Sequence, residues 1–228
     1  MRASFFYEAL DNCMLAPHTM NCRISTICMV ANETIRLFVA VFPTAEVAQR
    51  LNEAAHGLAS GLSPKAVAWT RPEQIHLTLN FLGNVERASM EELARAVEAT
   101  CRRGEIHLLQ ARGLGCFPSP ARPRIIWAGL GGAVAVLAEL KRTLDESLAR
   151  LGYAPETRPF QPHLTVGRVK LLNGSDRRHL AATLPPWREA EFGRWTVERV
   201  DLMQSVVWPG GAEYAQVQSF QLRPPTAA

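Results

Sequence analysis

The sequence predicts an α+β fold with largely antiparallel sheets, on three observations. Strand-like alternation and helix-like spacing follow each other in mixed order along the chain. A helix-then-strand unit occurs twice. Each unit closes on a strand containing His-Leu-Thr, at His76 and at His163, so the two strands are expected to be pseudo-twofold related. With 228 residues the chain is one domain or two small lobes, and either buries a real core. Hydrophobic residues at 47% and charged residues at 20%, with no apolar run near the ~20 residues of a membrane span, exclude a disordered or membrane-spanning chain. The net charge of +4 and pI near 9.0 suit an anionic ligand without identifying one.

Residues 1–33 carry three of the five cysteines and no clear period, so they are read as an extension outside the fold. They lack the basic start and continuous apolar stretch of a signal peptide, and Met29 is a candidate start. Cys13, Cys22, Cys28, Cys101 and Cys116 form no C-x-x-C pair and are odd in number, so neither zinc nor a disulfide framework is indicated. A reducing cytoplasm is expected. The domain runs from 34 to 223, with a tail at 224–228.

Arg36–Phe42 reads as a strand closed by Pro43. Thr44 caps a helix with Val47, Leu51, Ala54 and Leu58 on one face, ended by Gly57 and Gly61. Ala66–Trp69 is a short strand. After Arg71-Pro72, Ile75–Leu82 alternates so that Ile75, Leu77, Leu79 and Phe81 share the core face and Gln74, His76, Thr78 and Asn80 the other. Ser89 and Glu92 spell a capping box for a helix through Leu93, Val97 and Cys101. A strand at Ile106–Ala111 precedes a proline-rich loop that brings Arg112, Arg122 and Arg124 close to the next strand, Ile125–Leu130. Gly131-Gly132 opens a helix with Leu137, Leu140, Leu144, Leu148 and Leu151, stopped by Gly152; the second motif strand is His163–Val169. Asn173-Gly174-Ser175 starts a short helix ended by Pro185-Pro186, and Trp195–Val207 and Tyr214–Leu222 are strands joined through Pro209-Gly210-Gly211.

The two motifs read HLTLNFLG and HLTVGRVK. On a strand, residues i and i+2 point the same way, so each offers an imidazole beside a hydroxyl while Leu and the apolar residue after Thr face the core. Facing one another, two such strands would surround one tetrahedral phosphate. Six histidines and 13 threonines in 228 residues give about 0.3 His-x-Thr pairs by chance, so the shared context carries the signal. His56 and His179 read as surface residues, and His107 lacks the Thr two places on. His18 falls in the extension. No phosphate-loop or dinucleotide motif is present.

The blocks IRLFVAVFP, VAWTRPEQIHLTLNFLG, LGCFPSPARPRIIWAGL, RPFQPHLTVGRVK and VDLMQSVVWPGGAEYAQVQSFQL occur in an order that resembles the two-histidine phosphoesterases. Within them the chain is similar to the RNA 2′,3′-cyclic phosphodiesterases, first described as 2′-5′ RNA ligases. The resemblance spans 34–223 and implies a bilobal fold, two antiparallel sheets with helices outside and a central cleft. It implies no metal or cofactor. The implied substrate is RNA ending in a 2′,3′-cyclic phosphate, tRNA-like fragments included, opened to a 2′-phosphomonoester, with 2′-5′ ligation as the reverse reaction. A monomer is expected.

By that resemblance His76 is the proton donor and His163 the proton acceptor. Their pKa near 6.5 lets one be protonated while the other is not. Thr78 and Thr165 would donate hydrogen bonds to non-bridging oxygens. Arg168 matches the arginine that follows the family's second motif, but five residues past His163 an ideal strand sends it to the opposite face. Reaching the cleft requires a bulge, which Gly167 would permit. Phe160 could stack on a base. Asn80-Phe81 stands where many relatives carry Lys-Phe. A non-catalytic module clamping RNA ends through Arg122 and Arg124, or a phosphodiesterase for cyclic phosphates of nucleotides or ADP-ribose, remain the alternatives.

Overall fold

Apolar alternation builds two antiparallel sheets, and the chain passes between them repeatedly. The computed structural model describes residues 34–208 and 211–225. The expectations for residues 1–33, for Pro209-Gly210 and for the last tail residues lie outside the described residues. The described residues belong to one compact unit. Its strands are β1 (Thr34–Val41), β2 (Val67–Trp69), β3 (Leu77–Glu86), β4 (His107–Phe117), β5 (Ile125–Gly132), β6 (His163–Val169), β7 (Glu191–Val197), β8 (Arg199–Trp208) and β9 (Gly211–Gln221). The α-helices are α1 (Ala45–Ala59), α2 (Met90–Cys101), α3 (Val134–Ala149) and α4 (Gly174–Thr183). Among the described residues no helix is long and apolar enough to cross a membrane.

The four-stranded sheet has the order β3, β1, β8, β9 and the five-stranded sheet β2, β6, β5, β4, β7. The internal repeat is visible in the pairing, because β1 pairs with β3 as β5 pairs with β6, each across a helix. The halves exchange elements. Helix α1 follows β1 of the first sheet yet packs against β6 and β7 of the second, while α3 touches both β3 and β4. One continuous apolar core results, joining Leu37, Leu51 and Leu93 to Leu109, Leu144 and Leu164.

Several boundaries differ from the sequence reading. Gly57 lies inside α1, whose packing overrides one weak helix former; the helix ends at Ala59 with Ser60 as its cap, before Gly61 takes a φ of 117°. Ser89 makes no side-chain cap, because the chain already turns through a 3-10 turn at Arg87–Ser89 before α2. Half of the expected proline-rich loop is strand: β4 runs to Phe117, bulging at Gly113. The expected strand Trp195–Val207 is two strands in different sheets, switched at Glu198; a run with no Gly or Pro to mark the break does not reveal which sheet takes each part. His179 is half-buried rather than a surface residue, and its ring packs under Gly61. The capping box that does form is Asn173 with Asp176, at α4.

A buried charge ties α3 to the first motif strand. Lys141, whose side chain is only 8% exposed, pairs with Asp145, which also accepts from Asn80 Nδ2 at 2.7 Å. Replacing one partner strands the other charge, so Lys141→Met is expected to lower the urea-unfolding free energy by about 2–3 kcal/mol, less than a fully buried pair because Asp145 still meets water. Lys141→Met/Asp145→Leu is expected to recover most of that loss.

Candidate active site

The two motifs adopt the same local structure. The Nδ1–H of His76 donates to the Gln74 carbonyl at 2.7 Å, and the Nδ1–H of His163 donates to the Gln161 carbonyl at 2.7 Å. A carbonyl can only accept, so Nδ1 carries the proton in both rings and Nε2 is the nitrogen left for proton transfer. Both residues stand at the start of their strands, His163 first in β6 and His76 immediately before β3. The sequence reading placed His76 inside a strand; the 3-10 turn Pro72–Gln74 delays β3 until Leu77. His107 makes the same bond to the Glu105 carbonyl at 2.8 Å, but it is buried and its Nε2 has no partner among the described residues.

The strands then bulge at the same place. In β3, Thr78 and Asn80 pair with consecutive residues Ala40 and Val39, leaving Leu79 as the extra residue. In β6, Thr165 and Gly167 pair with Trp127 and Ile126, leaving Val166 extra. Each bulge puts two successive residues in the place of one, so the fifth residue past each histidine returns to the His/Thr face. In the second motif that residue is Arg168, and Gly167 lies against Val67 and Trp69, where a Cβ would fall 2.8 Å from Val67 Cγ1. The parity conflict in the sequence is thereby resolved. In the first motif it is Phe81, which the sequence reading placed in the core. Phe81 is 57% exposed, with the Arg36 guanidinium 4.6 Å from its ring centre.

Aromatic rings hold each imidazole. His76 lies 4.9 Å from Phe38, 5.5 Å from Phe42 and 5.2 Å edge-on from Tyr214, between ring centres. His163 meets Phe117 edge-on at 5.1 Å, and Phe117 packs on Trp127 at 5.0 Å. The Gln74 side chain ties the β8–β9 hairpin in place by donating to the Ala212 carbonyl at 2.7 Å. These supporting residues were not picked out from sequence, although a repeated Gln two places before each histidine, at Gln74 and Gln161, was there to be read.

Strands β3 and β6 touch, so the two motifs are neighbours. Burial holds His76 below its usual pKa of 6.5; the Gln74 carbonyl opposes this, and the charges of Arg168 and of His163 add to it. Arg168 and His163, both from the second motif, thus lie close enough to act on the imidazole of the first. Thr78 is exposed and Thr165 half-buried. Phe160 is instead packed against the core, with Lys141 Nζ 5.8 Å from its ring centre. Among the described residues no three His, Cys, Asp or Glu side chains cluster as metal ligands.

The sequence profile of the LigT-like phosphoesterases matches residues 41–127 and 132–214. An RNA 2′,3′-cyclic phosphodiesterase of Methanothermobacter thermautotrophicus is 34% identical over 68% of this chain and 83% of its own. One from Aquifex aeolicus is 29% identical over 83% of this chain and 98% of its own. A crystal structure from Thermus thermophilus superposes with a TM-score of 0.70 at 28% identity, covering 84% of this chain and all of that one. Escherichia coli LigT shares the fold, with a TM-score of 0.66 at 24% identity over 83% of this chain and 99% of its own.

The lowered pKa of His76 has a consequence for stability. Unfolded, the imidazole takes its proton near pH 6.5; folded, it does so only at lower pH, so the unfolded state binds more protons in between. Stability present above about pH 6.5 is lost as pH falls through the folded value. The urea midpoint is expected to drop between about pH 7 and about pH 5, and His76→Asn to lessen that drop. His107, shifted the same way by burial, accounts for part of the remainder.

Proposed function

Because the chain belongs to the LigT-like phosphoesterase family, we propose that it opens 2′,3′-cyclic phosphate ends of RNA to 2′-phosphomonoesters, with His76 and His163 moving the protons. The observation that carries this reading is the pair of imidazoles with the same Nδ1 bond, both left with Nε2 for proton transfer and coupled through charge. A water attacks phosphorus and gives its proton to His163. The bond from phosphorus to the ribose 3′ oxygen breaks, and that oxygen takes a proton from His76. Thr78 and Thr165 hydroxyls donate to the non-bridging oxygens, where charge gathers, and Arg168 offsets that charge. The exposed Phe81 offers a face for the terminal base. With the 5′-hydroxyl of a second strand in place of water, the same displacement makes a 2′-5′ linkage.

One observation favours exchanging the two histidine roles: an imidazole held below its usual pKa suits a base better than an acid. An anionic phosphate beside His76 counters the charge of Arg168 and raises that pKa on binding, which keeps His76 as the donor. A phosphodiester with a nitrophenolate leaving group separates the two assignments, because that group departs without a proton. With a ribose leaving group, His76→Ala and His163→Ala are each expected to lower kcat at least about 10²-fold without lowering the urea midpoint at neutral pH. With nitrophenolate, His76→Ala is expected to recover and His163→Ala to stay inactive; the reverse pattern exchanges the roles. Turnover is expected to survive EDTA. A 3′-phosphate product, or turnover confined to cyclic mononucleotides, contradicts the substrate reading.

A further inference from the structure

Among the described residues, the three longest stretches without a carboxylate are those between Glu53 and Glu73, between Glu105 and Glu139, and between Glu156 and Asp176. They are far apart in sequence. The fold makes them neighbours, because they supply β2, then β4 with β5, then β6, which lie side by side in the order β2, β6, β5, β4. Where β5 begins and β6 finishes, backbone bonds tie the three together. Val169 N–H donates to the Arg124 carbonyl at 2.9 Å, and Lys170 N–H to the Ala66 carbonyl at 2.8 Å.

Lys65, Arg122, Arg124 and Lys170 all stand at this end and are exposed. None of them takes part in the ion pairs found among the described residues, whereas Arg50, Arg71, Arg95, Arg102 and Arg142 are paired with glutamates elsewhere. Asp176 approaches the same end through Ser63, but it is buried and its oxygens accept from the Ser63 N–H at 2.8 Å and the Asn173 N–H at 3.1 Å. Strand β6 lays the site residues in a line toward these cations. His163 lies opposite Gly129, Thr165 opposite Trp127 and Arg168 opposite Ile125, and the loop bearing Arg124 and Arg122 comes next. A track of positive charge therefore runs from the phosphate site to the sheet's end.

We infer that this carboxylate-free end binds the phosphodiester backbone of the RNA strand attached to the cyclic phosphate. The inference rests on the reading of the cleft above and extends it to the part of the substrate outside the cleft. Exposed cations with no carboxylate among them leave their charge available to phosphates, and each phosphate neutralised releases counterions. A cyclic mononucleotide has no such strand and reaches only the cleft.

The test compares the wild type with Lys65→Gln/Arg122→Gln/Arg124→Gln/Lys170→Gln, four exposed substitutions outside the catalytic machinery. The substrates are 2′,3′-cyclic AMP and an oligoribonucleotide of about ten nucleotides ending in a 2′,3′-cyclic phosphate. Affinity for the 5′-fluorescein-labelled oligonucleotide ending in a 2′-phosphate is measured by anisotropy between about 50 and 200 mM KCl. The variant is expected to raise the oligonucleotide's KM about tenfold, to leave cyclic AMP kinetics unchanged, and to flatten the log–log salt slope of binding by up to about 3, at about 0.7 per phosphate contact. Equal oligonucleotide affinity and equal slope for the two proteins overturn the inference. A wild type that binds the oligonucleotide yet opens neither cyclic phosphate overturns the reading of the cleft and leaves this surface standing.

Discussion

One extra residue just after the threonine of each motif strand decides what shares the histidine's face. Leu79 in β3 and Val166 in β6 are held out of register with β1 and β5, and both are buried. Without the bulge, strict alternation would send Arg168 away from Thr165 and Phe81 into the core. With it, a histidine, a threonine and the fifth residue share one face in both strands. On that face the two strands differ at the fifth position, where one presents a cation and the other an aromatic ring. An arrangement symmetric in its histidines and threonines is thus asymmetric in what stands beside them.

The imidazoles are placed by backbone and packing rather than by charged partners. A carbonyl two residues back holds Nδ1 in both motifs, which sets the tautomer without a carboxylate. Rings from β1, β9 and β4 hold the imidazole planes. The Gln74 carbonyl offsets only part of the burial of His76, whose pKa therefore lies below the usual value. His107 shows that the carbonyl bond alone does not set the motif histidines apart. It has the same bond, but buried surroundings and no facing motif.

The exchange of elements between the halves keeps the two motif strands together. Because α1 packs on the sheet opposite its own strand and α3 spans both, one core joins the sheets that carry His76 and His163. Lys141 and Asp145 add a polar tie from α3 to Asn80, two residues past Thr78. Moving one motif strand alone would break apolar packing on both sides.

The fold class, the strand that begins at His163 and the doubled His-Leu-Thr were legible in the sequence, because strand alternation and helix spacing are local properties of side-chain order. Tertiary structure alone decided that Trp195–Val207 divides between two sheets, that Phe81 is exposed, that Arg168 shares a face with Thr165 and that Phe160 packs against the core. Each depends on pairing or packing with residues distant in the chain: a bulge exists only relative to a partner strand, and burial only relative to what covers it. Three acid-free stretches were equally present in the sequence, but their meaning was not. Only the sheet order β2, β6, β5, β4 makes one surface of them, because the fields of separate charges add only when folding brings them near each other.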